Sequence, residues 1–226
     1  MHLTVLNGSP RGRAGNTAVI LRPFLEGYSE VPGATQRVEY LYDPGSLERI
    51  HHVLQETECL LLAFPLYVDA MPSAVKELIE SLEPLKGRLE HLRFAYIVHS
   101  GFPEPVHSRY VERYLVRLTE RLGAEYAGTL VKGGSEGLRK KKKQDKSLAV
   151  IRGAGKAFGK TGRFERKYLK QLAPWERLPS PAIFLFRILE NLKILDRIWD
   201  KPLRENGAWE RRFDRPCEDG EYEFPA

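Results

Sequence analysis

Apolar and polar positions along this 226-residue chain follow two alternating periods. Five short, nearly continuous apolar runs, Leu3–Leu6, Val38–Leu41, Leu60–Phe64, Phe94–Val98 and Tyr126–Val131, read as strands. Unbroken apolar character is what a strand covered on both faces requires, so the runs point to a parallel sheet. Between them the spacing turns helical. Val111, Tyr114, Leu115, Leu118 and Leu122 form one stripe over about 107–122, and Gly123 stands where a left-handed residue ends a helix. Ala74, Val75, Leu78, Ile79 and Leu82 form another behind Pro72, a residue suited to a first helical turn. A further helix is expected from about Asn16, and Pro23 inside it should kink or end it because proline has no N–H to give. Five strand–helix repeats predict a doubly wound α/β domain over residues 1–165.

After residue 165 this rhythm stops, and residues 166–226 read as a C-terminal extension. Gln171–Pro181 holds three prolines and reads as a loop. A helix is expected over about 183–199, with Leu185, Ile188, Leu189, Leu192, Leu195 and Trp199 on one broad face, followed by a polar tail that turns acidic from Glu218. Arg187, Glu190, Lys193, Asp196 and Arg197 exclude a membrane-spanning role for it. An apolar face of this size needs cover. Exchange of the helix between two copies in a homodimer is expected first, packing on its own domain second, and contact with a membrane surface third.

The composition, 42% hydrophobic and 10% aromatic, is that of a folded globular chain. A net charge of +6 suits an anionic ligand or surface and carries no information about fold. Two cysteines, Cys59 and Cys217, provide neither a disulfide framework nor a metal cluster and suit a reducing compartment. A strand beginning at His2 leaves no room ahead of it for a signal peptide, so a cytoplasmic location is expected.

The segment after the first strand is Gly8-Ser9-Pro10-Arg11-Gly12-Arg13-Ala14-Gly15-Asn16-Thr17. Glycines, small hydroxyl or amide side chains and two arginines ahead of a helix start form a ready anion site, with backbone N–H groups and guanidinium as donors. An ordinary glycine-rich turn capped by Asn16 or Thr17 is the alternative. Glycines at 8, 12 and 15 do not fit G-x-G-x-x-G, and no Gly-Lys-Ser/Thr follows, so neither the dinucleotide fingerprint nor the P-loop is present. Asp43 lies too far along to serve as the usual ribose acid.

A second stiff loop follows the third strand: Pro65-Leu66-Tyr67-Val68-Asp69-Ala70-Met71-Pro72, with Lys76 in the helix behind. Such a loop can lie along a planar ring, or it can be a solvent turn in which Tyr67 covers the core. Taken together, the two loops resemble those of the NADPH-dependent FMN reductases and flavodoxin-like NAD(P)H quinone oxidoreductases, over roughly residues 1–165. The resemblance implies a flavodoxin-like five-stranded parallel sheet in the order 2-1-3-4-5, with FMN beyond the strand C-termini. It further implies that Ser9, Arg11, Gly15, Asn16 and Thr17 hold the FMN phosphate and that Pro65, Leu66, Tyr67, Val68 and Asp69 flank the flavin ring. A third contact is expected from Ser100, Gly101 and Phe102 after the fourth strand. The iron–sulfur relatives of this group carry a compact cysteine cluster that this chain lacks.

The activity implied is hydride transfer from NAD(P)H to FMN and on to a small acceptor such as a quinone, free flavin, nitro or azo compound, in a homodimer. The alternative is an FMN-binding electron carrier or regulatory module without enzymatic turnover. Such chemistry needs no amino-acid nucleophile, and no catalytic acid or base is assigned. His99, at the end of the fourth strand, reads either as a satisfied structural residue or as a tuner of flavin charge. The loop Lys132–Gly137 is expected to be flexible and leads into Arg139–Lys143. That basic run suits a 2′-phosphate, an acidic lipid surface or nucleic acid, but reads first as a solvated loop; with no interleaved aromatics, nucleic-acid binding is not expected.

Overall fold

The computed structural model describes residues 1–138, 146–195 and 197–214, without the side chains of 55, 56, 197 and 198. The five apolar runs are strands of one parallel sheet: β1 (His2–Asn7), β2 (Thr35–Tyr40), β3 (Cys59–Pro65), β4 (Arg93–His99) and β5 (Glu125–Lys132). Their order is β2-β1-β3-β4-β5, the order expected. Register is continuous across the middle of the sheet, with Val5 beside Leu61, and Leu61 beside Ala95.

Helices cover both faces. They are α1 (Asn16–Ser29), α2 (Ser46–Glu56), α3 (Ser73–Ser81), α4 (Val106–Leu122), α5 (Lys146–Thr161) and α6 (Arg166–Leu172). Alternate strand residues point to opposite faces and feed two cores. Leu3, Val5, Leu61, Ala63, Ala95 and Ile97 pack with α1, α5 and α6. Leu6, Leu62, Phe64, Tyr96 and Val98 pack with α2, α3 and α4. The expected stripe on α3 faces that second core, as do Val111, Leu115, Leu118 and Leu122 of the stripe on α4, whereas Tyr114 of the same stripe is exposed; Gly123 ends α4 at φ 78°.

Pro23 does not end α1, which runs on to Ser29. The lost hydrogen bond is outweighed by packing, because Phe24, Gly27 and Tyr28 beyond it are buried against α5. The α1–α5 contact is backbone on backbone. A Cβ at Gly155 would lie 1.9 Å from the Phe24 carbonyl oxygen, and one at Gly27 would lie 2.0 Å from that of Arg152.

Two compact units divide the chain, Met1–Arg177 and Leu178–Ala226. The first reaches past residue 165 because α6 continues it, with Leu172 buried in the same core as α1 and α5. In the second unit, the single helix expected over 183–199 is two helices, α7 (Ser180–Asn191) and α8 (Arg197–Glu205). They are separated where Lys193 takes φ 54°, a left-handed conformation that a right-handed helix cannot carry through. No residue of α7 is buried, and Phe184 and Leu185 are more than half exposed. Among the described residues, no helix is long and apolar enough to cross a membrane.

Candidate functional site

Parallel strands bring the loops after β1, β3, β4 and β5 to one edge of the sheet. The chain leaves β1 towards β2 on one side and leaves β3 towards β4 on the other, so the two loops diverge and a crevice opens between them.

The loop after β1 is anchored on β3 by the Gly8 N–H, which donates to the Ala63 carbonyl at 2.8 Å. Much of its remaining backbone is satisfied internally. Ser9 N–H donates to Asn7 Oδ1 (2.9 Å), Arg11 N–H to Ser9 Oγ (3.3 Å) and Gly12 N–H to the Ser9 carbonyl (2.8 Å). A 3₁₀ turn at Gly12–Ala14 follows. The first backbone bond into α1 runs from Val19 N–H to the Gly15 carbonyl at 3.4 Å. The N–H groups of Asn16, Thr17 and Ala18 precede it and have no acceptor within the helix. The donors facing outward therefore sit at the helix start rather than along the glycine turn. Arg11 is exposed at the rim. Arg13 lies over the Tyr40 ring at 4.0 Å and pairs with Asp43 at 3.3 Å, which gives Asp43 a structural partner.

His99 joins three of the loops. It is 3% exposed, with Nε2 2.8 Å from Thr17 Oγ1 and Nδ1 2.9 Å from Ser135 Oγ. Ser135 Oγ donates in turn to the Ser100 carbonyl at 2.8 Å, so it accepts from His99 Nδ1–H, and Nε2 accepts from the Thr17 hydroxyl. Burial, and next the nearby Lys132 charge, push the imidazole pKa down to about 3 and keep it neutral. Of the two readings of His99, the satisfied structural one holds. Thr17 consequently spends its hydroxyl on His99 and offers the site its backbone N–H. Asn16 Nδ2 donates to the Ser135 carbonyl at 2.9 Å, while its Oδ1 is buried without a partner. The segment expected to be flexible is instead tied down at Ser135, whose N–H also donates to the Ser100 carbonyl at 2.8 Å. The basic run that follows, 139–143, lies outside the described residues.

The loop after β3 is a tight two-residue turn. Tyr67 and Ala70 exchange both backbone hydrogen bonds (2.9 and 3.0 Å), and Val68 and Asp69 between them take φ of 49° and 58°. Positive φ at both central positions suits Asn-Gly. A β-branched residue is poorly accommodated there, and a non-glycine residue in this region costs roughly 1–2 kcal/mol. Pro65 and Leu66 are buried at the end of β3, whereas Tyr67, Val68 and Asp69 project into solvent. After β4, Ser100 is buried and Gly101 and Phe102 are exposed. The Phe102 ring stacks on His107 at 4.7 Å, and His107 Nδ1 lies 3.1 Å from Asp69 Oδ1.

The residues picked out in sequence thus gather at one edge, in two groups. Ser9, Gly15, Asn16 and Thr17 line the α1 start, and Tyr67, Asp69 and Phe102 surround the turn. Three residues the sequence did not flag hold them: Asn7, Ser135 and His107. Cys59 takes no part, being fully buried in β3 with its thiol pushed up to about 12 by burial. His51 is likewise structural, at 2.8 Å from Ser81 Oγ.

No protein-family model and no curated protein matches the chain. Solved structures do. An NAD(P)H:quinone oxidoreductase from Methanothermobacter marburgensis is 18% identical, with a TM-score of 0.55 over 70% of this chain and 96% of that one. An FMN-dependent NADH-azoreductase from Bacillus anthracis, solved with FMN, is 18% identical, with a TM-score of 0.54 over 70% of this chain and 100% of that one. An NADH:FMN oxidoreductase is 16% identical, with a TM-score of 0.54 over 80% of this chain and 98% of that one. Likeness at these identities speaks to architecture, and with the sheet order it makes this chain a flavodoxin-like α/β protein.

Proposed function

We propose that this chain is an FMN-dependent NAD(P)H oxidoreductase that reduces a small acceptor such as a quinone, free flavin, nitro or azo compound. The observation that carries this reading is that the α1 start and the Val68–Asp69 turn follow the carboxyl ends of the adjacent strands β1 and β3, at the point where the strand order reverses. The solved neighbours named above support it, since their names describe quinone, azo and FMN reduction by nicotinamides.

The residues present fit FMN. The N–H groups of Asn16, Thr17 and Ala18 suit a phosphate monoester at a helix N-terminus, with Arg11 at the rim to add charge. Asn16 Oδ1, buried and unpartnered among the described residues, is an acceptor that a ribityl hydroxyl would satisfy. Ser9 Oγ accepts from Arg11 N–H and keeps its own proton to donate. Tyr67 would offer the ring an aromatic edge and Val68 and Asp69 their backbone, and Phe102 stands on the neighbouring loop. Bound FMN supplies the redox chemistry, accepting hydride from a nicotinamide and passing reducing equivalents onward. The chain's own part is to bind, orient and shield.

The purified protein mixed with FMN is expected to quench its fluorescence, and anaerobic NADPH or NADH is expected to bleach the oxidised flavin bands. FMN that binds but is reduced by neither nicotinamide would make the chain a carrier. Absence of binding would refute the flavin reading.

A homodimer belongs to the same proposal. Beside the turn, Asp69, Met71, Lys76, Tyr110, Val111 and Tyr114 line a groove of about 400 Å³, and Tyr110 is largely exposed. The unburied apolar residues of α7 are the surface this proposal favours, ahead of that groove. Sedimentation of the full chain is expected to give a dimer, and a chain ended after Arg177 a monomer. A dimer that survives the truncation would move the interface off α7.

A further inference from the structure

The Val68–Asp69 turn raises a question that its own hydrogen bonds do not answer. Two side-chain-bearing residues adopt left-handed conformations on an exposed loop, one of them β-branched and fully exposed. Aspartate tolerates that conformation, but a β-branched valine does not, so Val68 leaves an open turn competitive. A contact from outside adds to what the turn's own hydrogen bonds hold.

The contact is made by Asp69. Its carboxylate oxygens lie 3.1 and 3.2 Å from Nδ1 of His107, in the first turn of α4. The imidazole is itself held from a second direction. Its face stacks on Phe102, with ring centroids 4.7 Å apart and planes inclined by 24°. His107 is thus gripped by the loop after β4 and grips the loop after β3. These are two of the loops expected to contact the flavin.

We infer that His107 is a positioning residue that locks the Val68–Asp69 turn onto the loop after β4 and so preorganises the flavin-binding edge of the site. This rests on the FMN reading above. A clamp of this kind acts by lowering the ordering cost that binding would otherwise carry. His107 needs to touch neither flavin nor substrate to do so.

The test is a double-mutant cycle in the full-length protein on Asp69→Ala and His107→Phe, with His107→Asn as the conservative variant. Phenylalanine keeps a ring against Phe102 and removes the donor, whereas asparagine keeps a donor near the Nδ1 position. FMN affinity is read by fluorescence quenching. Each single variant is expected to weaken FMN by about fivefold, and the double variant by no more than about fivefold, because both remove one contact. His107→Asn is expected to stay within about twofold of the parent.

A second readout needs no flavin. The Tyr67 and Ala70 amides, which pair across the turn, are expected to exchange hydrogen at least about tenfold faster in His107→Phe. Additive losses, about 25-fold in the double variant, together with unchanged exchange would overturn the clamp. If the parent protein takes up no FMN, the flavin reading falls, and the exchange result alone decides whether His107 holds the turn.

Discussion

Alanine at Gly155 is expected to lower stability by about 3 kcal/mol and the melting temperature by roughly 6–12 °C, given about 2–4 °C per kcal/mol at this chain length. Two opposing effects set the sign. Replacing a helical glycine by alanine gains about 1 kcal/mol of intrinsic propensity. Against that, the new Cβ would sit 1.9 Å from the Phe24 carbonyl oxygen, far inside contact distance, and the obstacle is backbone that no rotamer change can remove. α1 and α5 must separate, and the packing of Phe24, Tyr28, Ile151, Ala154 and Phe158 loosens with them. Gly27→Ala meets the Arg152 carbonyl oxygen at 2.0 Å and should cost as much. The double variant should cost less than the sum, since one separation relieves both clashes. Gly153→Ala is the internal control. The three atoms nearest its Cβ all belong to the Tyr168 side chain, the closest at 2.9 Å, and a side chain can turn away, so a change within about 1 kcal/mol is expected. Thermal melts of the four variants decide it: a Gly155→Ala protein that melts with the parent would mean that the two helices do not meet backbone to backbone.

The same pair of helices shows what the sequence made legible and what it concealed. Strands β1, β3 and β4 are bounded within a residue by their apolar runs because both of their faces are covered. β2 was placed late, at Val38, because it is an edge strand whose first residues, Thr35 and Gln36, are exposed and polar. Pro23, on local chemistry alone, reads as a kink or a stop. The deciding contacts come from Gly155, which no window around Pro23 contains. In the C-terminal unit the apolar spacing continued through Leu192 and Leu195, but the backbone turns left-handed at Lys193, and periodicity carries no information about φ. At the site, both loops were visible as motifs, since their residue types report local conformation. Their supports were not. Ser135 reaches Asn16 across 119 positions, and His107 reaches Asp69 across 38. A lone serine or histidine at such distances gives a single sequence nothing to pair it with.

His99 makes the second large prediction, because it links Thr17, Ser135 and Ser100 while carrying no charge. In the folded chain its pKa lies near 3, pushed down by burial and then by Lys132, the residue beside it in register on β5. An unfolded histidine takes its proton near 6.5. Between those values the unfolded chain binds the extra proton, so the stability His99 contributes is complete above about pH 6.5 and is lost as pH falls towards 3, at up to about 1.4 kcal/mol per unit. His99→Leu removes that titration and also leaves the Thr17 hydroxyl unpaired and Ser135 without its imidazole partner. At pH 7 the variant is therefore expected to be less stable than the parent by about 2–3 kcal/mol. At pH 5 the parent has lost roughly 2 kcal/mol through His99 and the variant none, so the gap should nearly close. Every other titrating group is common to both chains and cancels in the difference. Urea denaturation of the pair at the two pH values measures it. A gap that stays constant between pH 7 and pH 5 would show that His99 does not bury a neutral imidazole, and the hydrogen-bonded link from α1 through β4 to the loop after β5 would have to be redrawn.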